Sequence, residues 1–281
     1  MSRVIGVVGG GRMGAGIAQV FAVIGYDVVV VESSEDTASE ARERINNGLQ
    51  RAIEHGASEI RPEVVAGRIH LVTDVAELPH DAELVVEAVP EVMAFKHEVL
   101  SAIEHAVTAS CVIATNTSSL SISQLAEALE RPQRFAGMHF FNPVPTSLLV
   151  EVVVGEETLF EIVERMTGWV EELDKSVIIV KDSPGFATSR LGVLLGLEAI
   201  RMLEEGVASA QDIDRAMELG YRHPMGPLRS TDLVGLDVRL AIAEYLSETL
   251  GERFSPPQLL REKVRLGELG RKTGQGFFRW D

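Results

Sequence analysis

The chain has 281 residues, more than one usual domain, so its length predicts two compact units. Its apolar share of 46 % and charged share of 24 % are ordinary for a globular protein in water. A formal charge of −16 disfavours nucleic acid or an anionic membrane as partner, and a single cysteine excludes an internal disulfide.

The first residues, MSRVIGVVGGG, reach glycine too early for a signal peptide, and no run of about 18 apolar residues predicts a membrane span. LGVLLGLEAI comes nearest but is interrupted by Glu198. With Cys111 in the apolar stretch SCVIAT, read as a small core residue, the expected compartment is a reducing cytoplasm.

In chain order, RVIGVVG reads as a strand, GAGIAQVFAVIG as a helix and YDVVVVES as a second strand. A polar helical stretch follows from about Ser34 to Ala66, broken at Arg61-Pro62. RIHLVTD, AELVVEAV, CVIATNT, RFAGMHF, LLVEVVVG and SVIIVKD are further strands, with helices in several of the intervals. Near-continuous apolar strands alternating with helices predict an α/β fold. We expect a Rossmann-type, doubly wound, mostly parallel sheet covered on both faces, its last two strands antiparallel or mixed. After DSPGF the pattern is helical throughout, and no strand is convincing. The helical segments are TSRLGVLLGLEAIRMLEEG, ending at Gly206, and SAQDIDRAMELG, running from a serine cap to Gly220. STDLVGLDVRLAIAEYLSETLG and PPQLLREKVRLGELG complete them. Pro184 and Gly185 punctuate the change, dividing the chain into residues 1–182 and an all-helical 183–281. The apolar faces of the second unit exceed what a small bundle needs, which points to pairing with a second copy.

Gly9, Gly11 and Gly14 form G-x-G-x-x-G between a strand and a helix, and a second strand ends at Glu32. Gly9 would permit the tight turn, Gly11 the close approach of a pyrophosphate and Gly14 close helix packing. The helix start, with Arg12 and Met13, would meet the ligand's negative charge through its backbone N–H groups, which lets an acidic protein hold a dinucleotide. Glu32 would accept hydrogen bonds from the adenosine ribose and repel a 2′-phosphate, favouring NAD over NADP.

RFAGMHFFNPVPTSLLVEVV places His139 and Glu151 equally far from Pro145. Two strands joined across that turn would make the two side chains neighbours. Glu151 would then orient one imidazole nitrogen and turn the other toward chemistry, as in a base–orienter pair. The bland alternative is a core histidine and an edge-strand charge, and the dinucleotide fingerprint upstream favours the pair. The other histidines lie in polar settings or, like His223, before a proline turn, and no cluster has metal-ligand spacing.

VVGGGRMGAGIA, LVVEAVPEVMAFK, TNTSSLSI, RFAGMHFFNPVP, LVEVV, DSPGF, DIDRAMELGYRHPMGP and GRKTGQGFF occur here in one order. In that order the chain resembles the L-3-hydroxyacyl-CoA dehydrogenases, in the short form of the bacterial 3-hydroxybutyryl-CoA dehydrogenases. The resemblance implies NAD as cofactor, an acyl-CoA substrate, a helical-hairpin arm on the Rossmann domain and a helical dimerisation domain. It implies His139 as catalytic base, Glu151 as its orienting carboxylate and Ser118 as a hydrogen-bonding partner near the substrate oxygen. It places Glu91 and Lys96 at the nicotinamide ribose, and Asn116 and Asn142 near the nicotinamide. For Ser118, helix capping before LSISQLAEAL is a compatible second reading.

Two departures stand out. The resemblance expects PGF-I-x-N-R, and here PGFATSR puts Ser189 where an asparagine would help bind the reacting oxygen. A serine donates one hydrogen bond over a shorter reach, which predicts a weaker or water-mediated contact. In the arm, lysines that would meet CoA phosphates are replaced by Arg51 and His55 in NNGLQRAIEHG, for which a solvated helix face is an equal reading. Two alternatives share these motifs: an NAD-dependent dehydrogenase of a free hydroxy acid such as L-gulonate, and a non-catalytic dinucleotide-binding structural protein.

Overall fold

The computed structural model describes residues 3–54 and 61–280. Its backbone contacts divide into two compact units, Met1–Asp182 and Ser183–Asp281.

The first unit begins with β1 (Val4–Val8), α1 (Arg12–Val23), β2 (Asp27–Val31), α2 (Glu35–Glu54), α3 (Pro62–Ala66) and β3 (Ile69–Val72). It continues through β4 (Leu84–Glu87), α4 (Met93–Ala106), β5 (Val112–Thr115), α5 (Ile122–Ala126) and β6 (Phe135–Phe140). β7 (Leu149–Val154), α6 (Phe160–Glu172) and β8 (Ser176–Lys181) complete it. The eight strands form one sheet in the order β3-β2-β1-β4-β5-β6-β7-β8. β1 to β6 pair in parallel, β7 runs antiparallel to β6, and β8 is parallel to β7.

Valine-rich β1, β2 and β4 are buried along nearly their whole length because helices cover both faces, which is why they read as unbroken apolar runs. The chain passes outward from β1 to β2 and β3, then returns to place β4 on the other side of β1. In such sheets the crevice beyond the carboxyl ends of the strands, where the order reverses, is the ligand site. The polar arm reads as α2, with Ala38, Ala41, Ile45 and Leu49 as its single buried stripe, and α3, opened by Pro62 in the first turn. Gly48 lets α2 approach α1, since a methyl there would lie 2.2 Å from the Gln19 side-chain oxygen.

The second unit comprises α7 (Thr188–Glu204), α8 (Ala210–Gly220), α9 (Pro227–Val234), α10 (Leu236–Leu250) and α11 (Gln258–Arg265). The stretch STDLVGLDVRLAIAEYLSETLG, read as one segment, is two helices. Gly235 has φ +106°, outside the helical region, and ends α9 before α10 begins. Ser209 caps α8 as expected, accepting the Asp212 N–H at 3.2 Å. Among the described residues of this unit, extended pairing is limited to isolated bridges at Gly270–Gln275 and Gln275–Arg279. The C-terminal segment is tied down by Asp232, 1 % exposed, which accepts the N–H groups of Phe277 and Phe278 and the Trp280 indole, each at 2.9 Å. No described helix is long and apolar enough to cross a membrane.

Candidate active site

The fold itself demands glycine at two of the three positions of the first turn. Gly9 has φ +97°, and a methyl on it would lie 2.7 Å from the Ala88 carbonyl oxygen. A methyl on Gly14 would lie 1.7 Å from the Gly9 carbonyl oxygen, so α1 could not seat against the turn. Gly11 is different: a methyl there meets nothing within 4 Å, so the protein's own packing does not demand a glycine. What the missing side chain leaves open is the space before the start of α1. That helix has no side-chain cap and no acidic residue in its first turn. The N–H groups of Arg12, Met13 and Gly14 therefore point, with the positive end of the helix dipole, into this space.

Beside it runs a cleft of about 660 Å³, lined by Gly9, Gly11, Arg12, Met13, Glu32 and Arg44 among others. Glu32 sits just past β2 and is fixed by backbone donors, the Gly10 N–H at 2.6 Å and the Ser33 N–H at 3.2 Å. A dinucleotide fits this donor set, which offers open backbone N–H groups at a helix start and a carboxylate held beside them. Arg44, which the sequence reading did not single out, flanks the cleft from α2, bonded to Glu40 at 2.6 Å and to the Gly10 carbonyl at 3.4 Å.

At the ends of β4 and β5 lies a polar network. Lys96, on α4, is 1 % exposed, and its ammonium donates to Glu87 at 2.7 Å and to the Val89 carbonyl at 3.1 Å. It also pairs with Glu91 at 3.4 Å. Its three N–H groups are thereby engaged within the protein, so Lys96 stands behind Glu91. Glu91 in turn accepts the Thr117 hydroxyl at 2.6 Å, the Ser118 N–H at 2.9 Å and the Ser118 hydroxyl at 3.2 Å. Burial works against the Glu91 charge, but the Lys96 ammonium and the Thr117 and Ser118 donors outweigh it and hold its carboxyl below the ordinary glutamate value. The serines divide their tasks. Ser121, not Ser118, caps α5 by accepting the Gln124 N–H at 3.2 Å, and Ser118 belongs to the Glu91 cluster. Asn116 accepts the Phe140 N–H at 2.9 Å, tying the end of β5 to the end of β6.

His139 and Glu151 are direct cross-strand partners in the β6–β7 pair, in register with Gly137–Val153 and Phe140–Val150. The Nδ1 atom of His139 lies 2.7 Å from Glu151 Oε2, with His139 6 % and Glu151 0 % exposed. The ring is also flanked by Phe141, its centroid 4.4 Å away. The connecting turn is anchored rather than loose. The buried Lys175 donates to the carbonyls of Val144 at 2.8 Å and Ser147 at 2.6 Å, and Val144 packs where a Gly16 side chain would otherwise stand. Asn142 follows β6 at the start of this turn, before the cis Asn142-Pro143 peptide.

Ser189 is the second residue of α7, in the helical unit. Arg51 lies in the last turn of α2, exposed, its Nε donating to the Asn47 carbonyl at 3.1 Å, while His55 lies outside the described residues. Within the first unit the structure thus gathers Gly9, Gly11, Arg12, Met13 and Glu32 around the cleft, joins Glu91, Lys96 and Ser118 in one cluster, and pairs His139 with Glu151. Sequence reasoning missed Glu87, Thr115 and Thr117. The available signal was Glu87 itself, a carboxylate closing a strand that is otherwise leucine and valine and is wholly buried.

Two family models together match almost the whole chain: "3-hydroxyacyl-CoA dehydrogenase, NAD binding domain" over residues 4–183 and "3-hydroxyacyl-CoA dehydrogenase, C-terminal domain" over 185–280. A probable 3-hydroxybutyryl-CoA dehydrogenase of Deinococcus radiodurans is 42 % identical, the match covering 98 % of this chain and 99 % of that protein. A 3-hydroxybutyryl-CoA dehydrogenase of Mycobacterium tuberculosis is also 42 % identical, over 98 % of this chain and 97 % of that one. The crystal structure of (S)-3-hydroxybutyryl-CoA dehydrogenase from Ralstonia eutropha superimposes with a TM-score of 0.93 at 38 % identity, covering 100 % of both chains. On these matches, with a glycine turn and an uncapped helix start that fit a dinucleotide, the chain belongs to the 3-hydroxyacyl-CoA dehydrogenase family and is an NAD-dependent oxidoreductase.

Proposed function

We propose that the protein catalyses the reversible oxidation of a short-chain L-3-hydroxyacyl-CoA, such as 3-hydroxybutyryl-CoA, to the 3-oxoacyl-CoA, with His139 as general base. NAD, when bound, supplies the hydride acceptor. The observation that carries the reading is the 2.7 Å contact between His139 Nδ1 and the fully buried Glu151. A carboxylate on Nδ1 fixes the proton there, so that Nε2 presents a lone pair to the substrate hydroxyl. As the C3 hydrogen leaves as hydride, the hydroxyl proton passes to Nε2, and Glu151 stabilises the imidazolium that forms. The Ser118 hydroxyl, which donates to Glu91 at 3.2 Å, turns its one hydrogen to the substrate oxygen when substrate binds, and Glu91, Asn116 and Asn142 serve the cofactor's nicotinamide side. Ser189, with a shorter reach than asparagine, makes a weaker or water-mediated contact with the reacting oxygen, and Arg51 meets a CoA phosphate. Because a proton is released, NAD reduction becomes more favourable as pH rises.

The substrate class is supported by the names of the relatives and is tested by NADH oxidation on acetoacetyl-CoA against free oxo acids. Turnover confined to the free acids would replace the CoA reading with a free hydroxy-acid dehydrogenase. His139→Gln should lower kcat by about 10²–10⁴-fold while NADH affinity is retained. A variant with near-wild-type kcat would remove His139 from the mechanism. A homodimer through the helical unit is supported by exposed apolar side chains there, Leu191, Leu219 and Tyr221 among them, and is tested by sedimentation. A cytoplasmic location accords with the single, buried cysteine.

A further inference from the structure

Glu87 is a carboxylate with 0 % exposure at the end of β4, and the chemistry above makes no use of it. Its Oε1 accepts the Val89 N–H at 2.7 Å and the Lys96 ammonium at 2.7 Å, and its Oε2 accepts the Thr115 hydroxyl at 2.6 Å. The Thr115 hydroxyl in turn accepts the Thr117 N–H at 3.2 Å. One side chain therefore holds the loop leaving β4, the helix α4 and the loop leaving β5.

A buried ion pair is a poor way to gain stability, because desolvation offsets most of the attraction and apolar residues of the same volume do as well. What a buried, fully bonded pair does provide is a single geometry. Here that geometry is delivered to Glu91, which takes its charge partner from Lys96 and its donors from Thr117 and Ser118. In a sheet of this order the first nucleotide half lies over β1 and β2, and the second over β4 to β6. Glu91 and Ser118 stand on that second side. We propose that Glu87 is a positioning residue for the nicotinamide half of the cofactor. Untouched by ligand, it sets Glu91 through Lys96 and the 116–119 loop through Thr115. This rests on the reading of the β4–β6 strand ends as the hydride-transfer end.

The experiment is a double-mutant cycle on the full chain with Glu87→Gln, Lys96→Met and the pair together. NADH dissociation constants are read by fluorescence, unfolding midpoints by calorimetry, and KM is measured for NADH and acetoacetyl-CoA. Glu87→Gln should raise the NADH dissociation constant about tenfold or more, the scale of a small misplacement in a site. The KM for acetoacetyl-CoA should move much less. Because Glu87 acts chiefly through Lys96, the pair should bind NADH about as weakly as Lys96→Met alone. An NADH affinity within about twofold of wild type in Glu87→Gln, or fully additive losses in the cycle, would overturn the proposal and leave Glu87 a structural residue. Should Glu87→Gln not fold, Thr115→Val removes one donor from the same carboxylate. It should also weaken NADH binding, and an unchanged affinity would be equally fatal. NADH binding is read without turnover, so the result stands apart from the fate of His139 as base.

Discussion

Gly11→Ala separates the demands of folding from those of the ligand. Gly11 has φ −61° and ψ −168°, which alanine adopts without strain, and a methyl at this position meets nothing within 4 Å. Replacing glycine at an unstrained site lowers the entropy of the unfolded chain and stabilises by about 0.4–1 kcal/mol. Gly11 is also the N-cap of α1, where alanine is the poorer residue by about 0.5–1 kcal/mol. The two effects nearly cancel, so the ligand-free protein should unfold within about 3 °C of wild type. Binding should respond quite differently. A pyrophosphate oxygen accepting from the first N–H groups of α1 would sit about 2.9 Å from nitrogen, where the new methyl intrudes. A loss of NADH affinity of about 10- to 100-fold, or 1.4–2.7 kcal/mol, is expected. Calorimetric melting with and without NADH reads both quantities, since saturating ligand at about 100 times its dissociation constant adds about 2.7 kcal/mol. If the variant melted far below wild type, or bound NADH equally well, the reasoning about Gly11 would be wrong.

Glu32→Ala should lower the preference for NAD over NADP by about tenfold in kcat/KM, since the carboxylate that repels a 2′-phosphate is gone; an unchanged ratio would move the ribose elsewhere. Asp232→Ala leaves two backbone N–H groups and the Trp280 indole without their acceptor, and should destabilise the helical unit by about 3 kcal/mol in denaturant unfolding. The depressed Glu91 carboxyl gives a stabilisation that is present above its unfolded-state pKa and disappears as pH falls through the lower folded value. The melting difference between wild type and Glu91→Gln should therefore be constant near neutrality and close only below the usual carboxylate range. A gap that closes near pH 6–7 would contradict it.

Much of the cofactor cradle was legible because its signals are local. A strand, three glycines, a helix start and an acid at the next strand end all fall between Val4 and Glu32, and each residue answers to backbone geometry or to a near neighbour in sequence. The His139–Glu151 pairing was legible for a related reason: an antiparallel pair folded about one turn matches residues at equal distances from it, so their separation from Pro145 contains the register.

Other features depended on strand order, which no short stretch encodes. Glu87 and Thr115 are 28 residues apart and meet only because β4 and β5 are parallel neighbours. Lys96, assigned to the nicotinamide ribose by resemblance, shows its buried pairing with Glu87 only when α4 is laid against that seam. Ser121 rather than Ser118 caps the helix because α5 begins at Ile122, while Ser118 meets Glu91 from another element, and the break at Gly235 comes from a backbone angle that its apolar flanks conceal. Periodicity and turn chemistry are properties of consecutive residues, and the sequence by itself determined them. The buried charges, the donors that satisfy them and the side chains they steer come from separate elements, and only their packing decided which would meet.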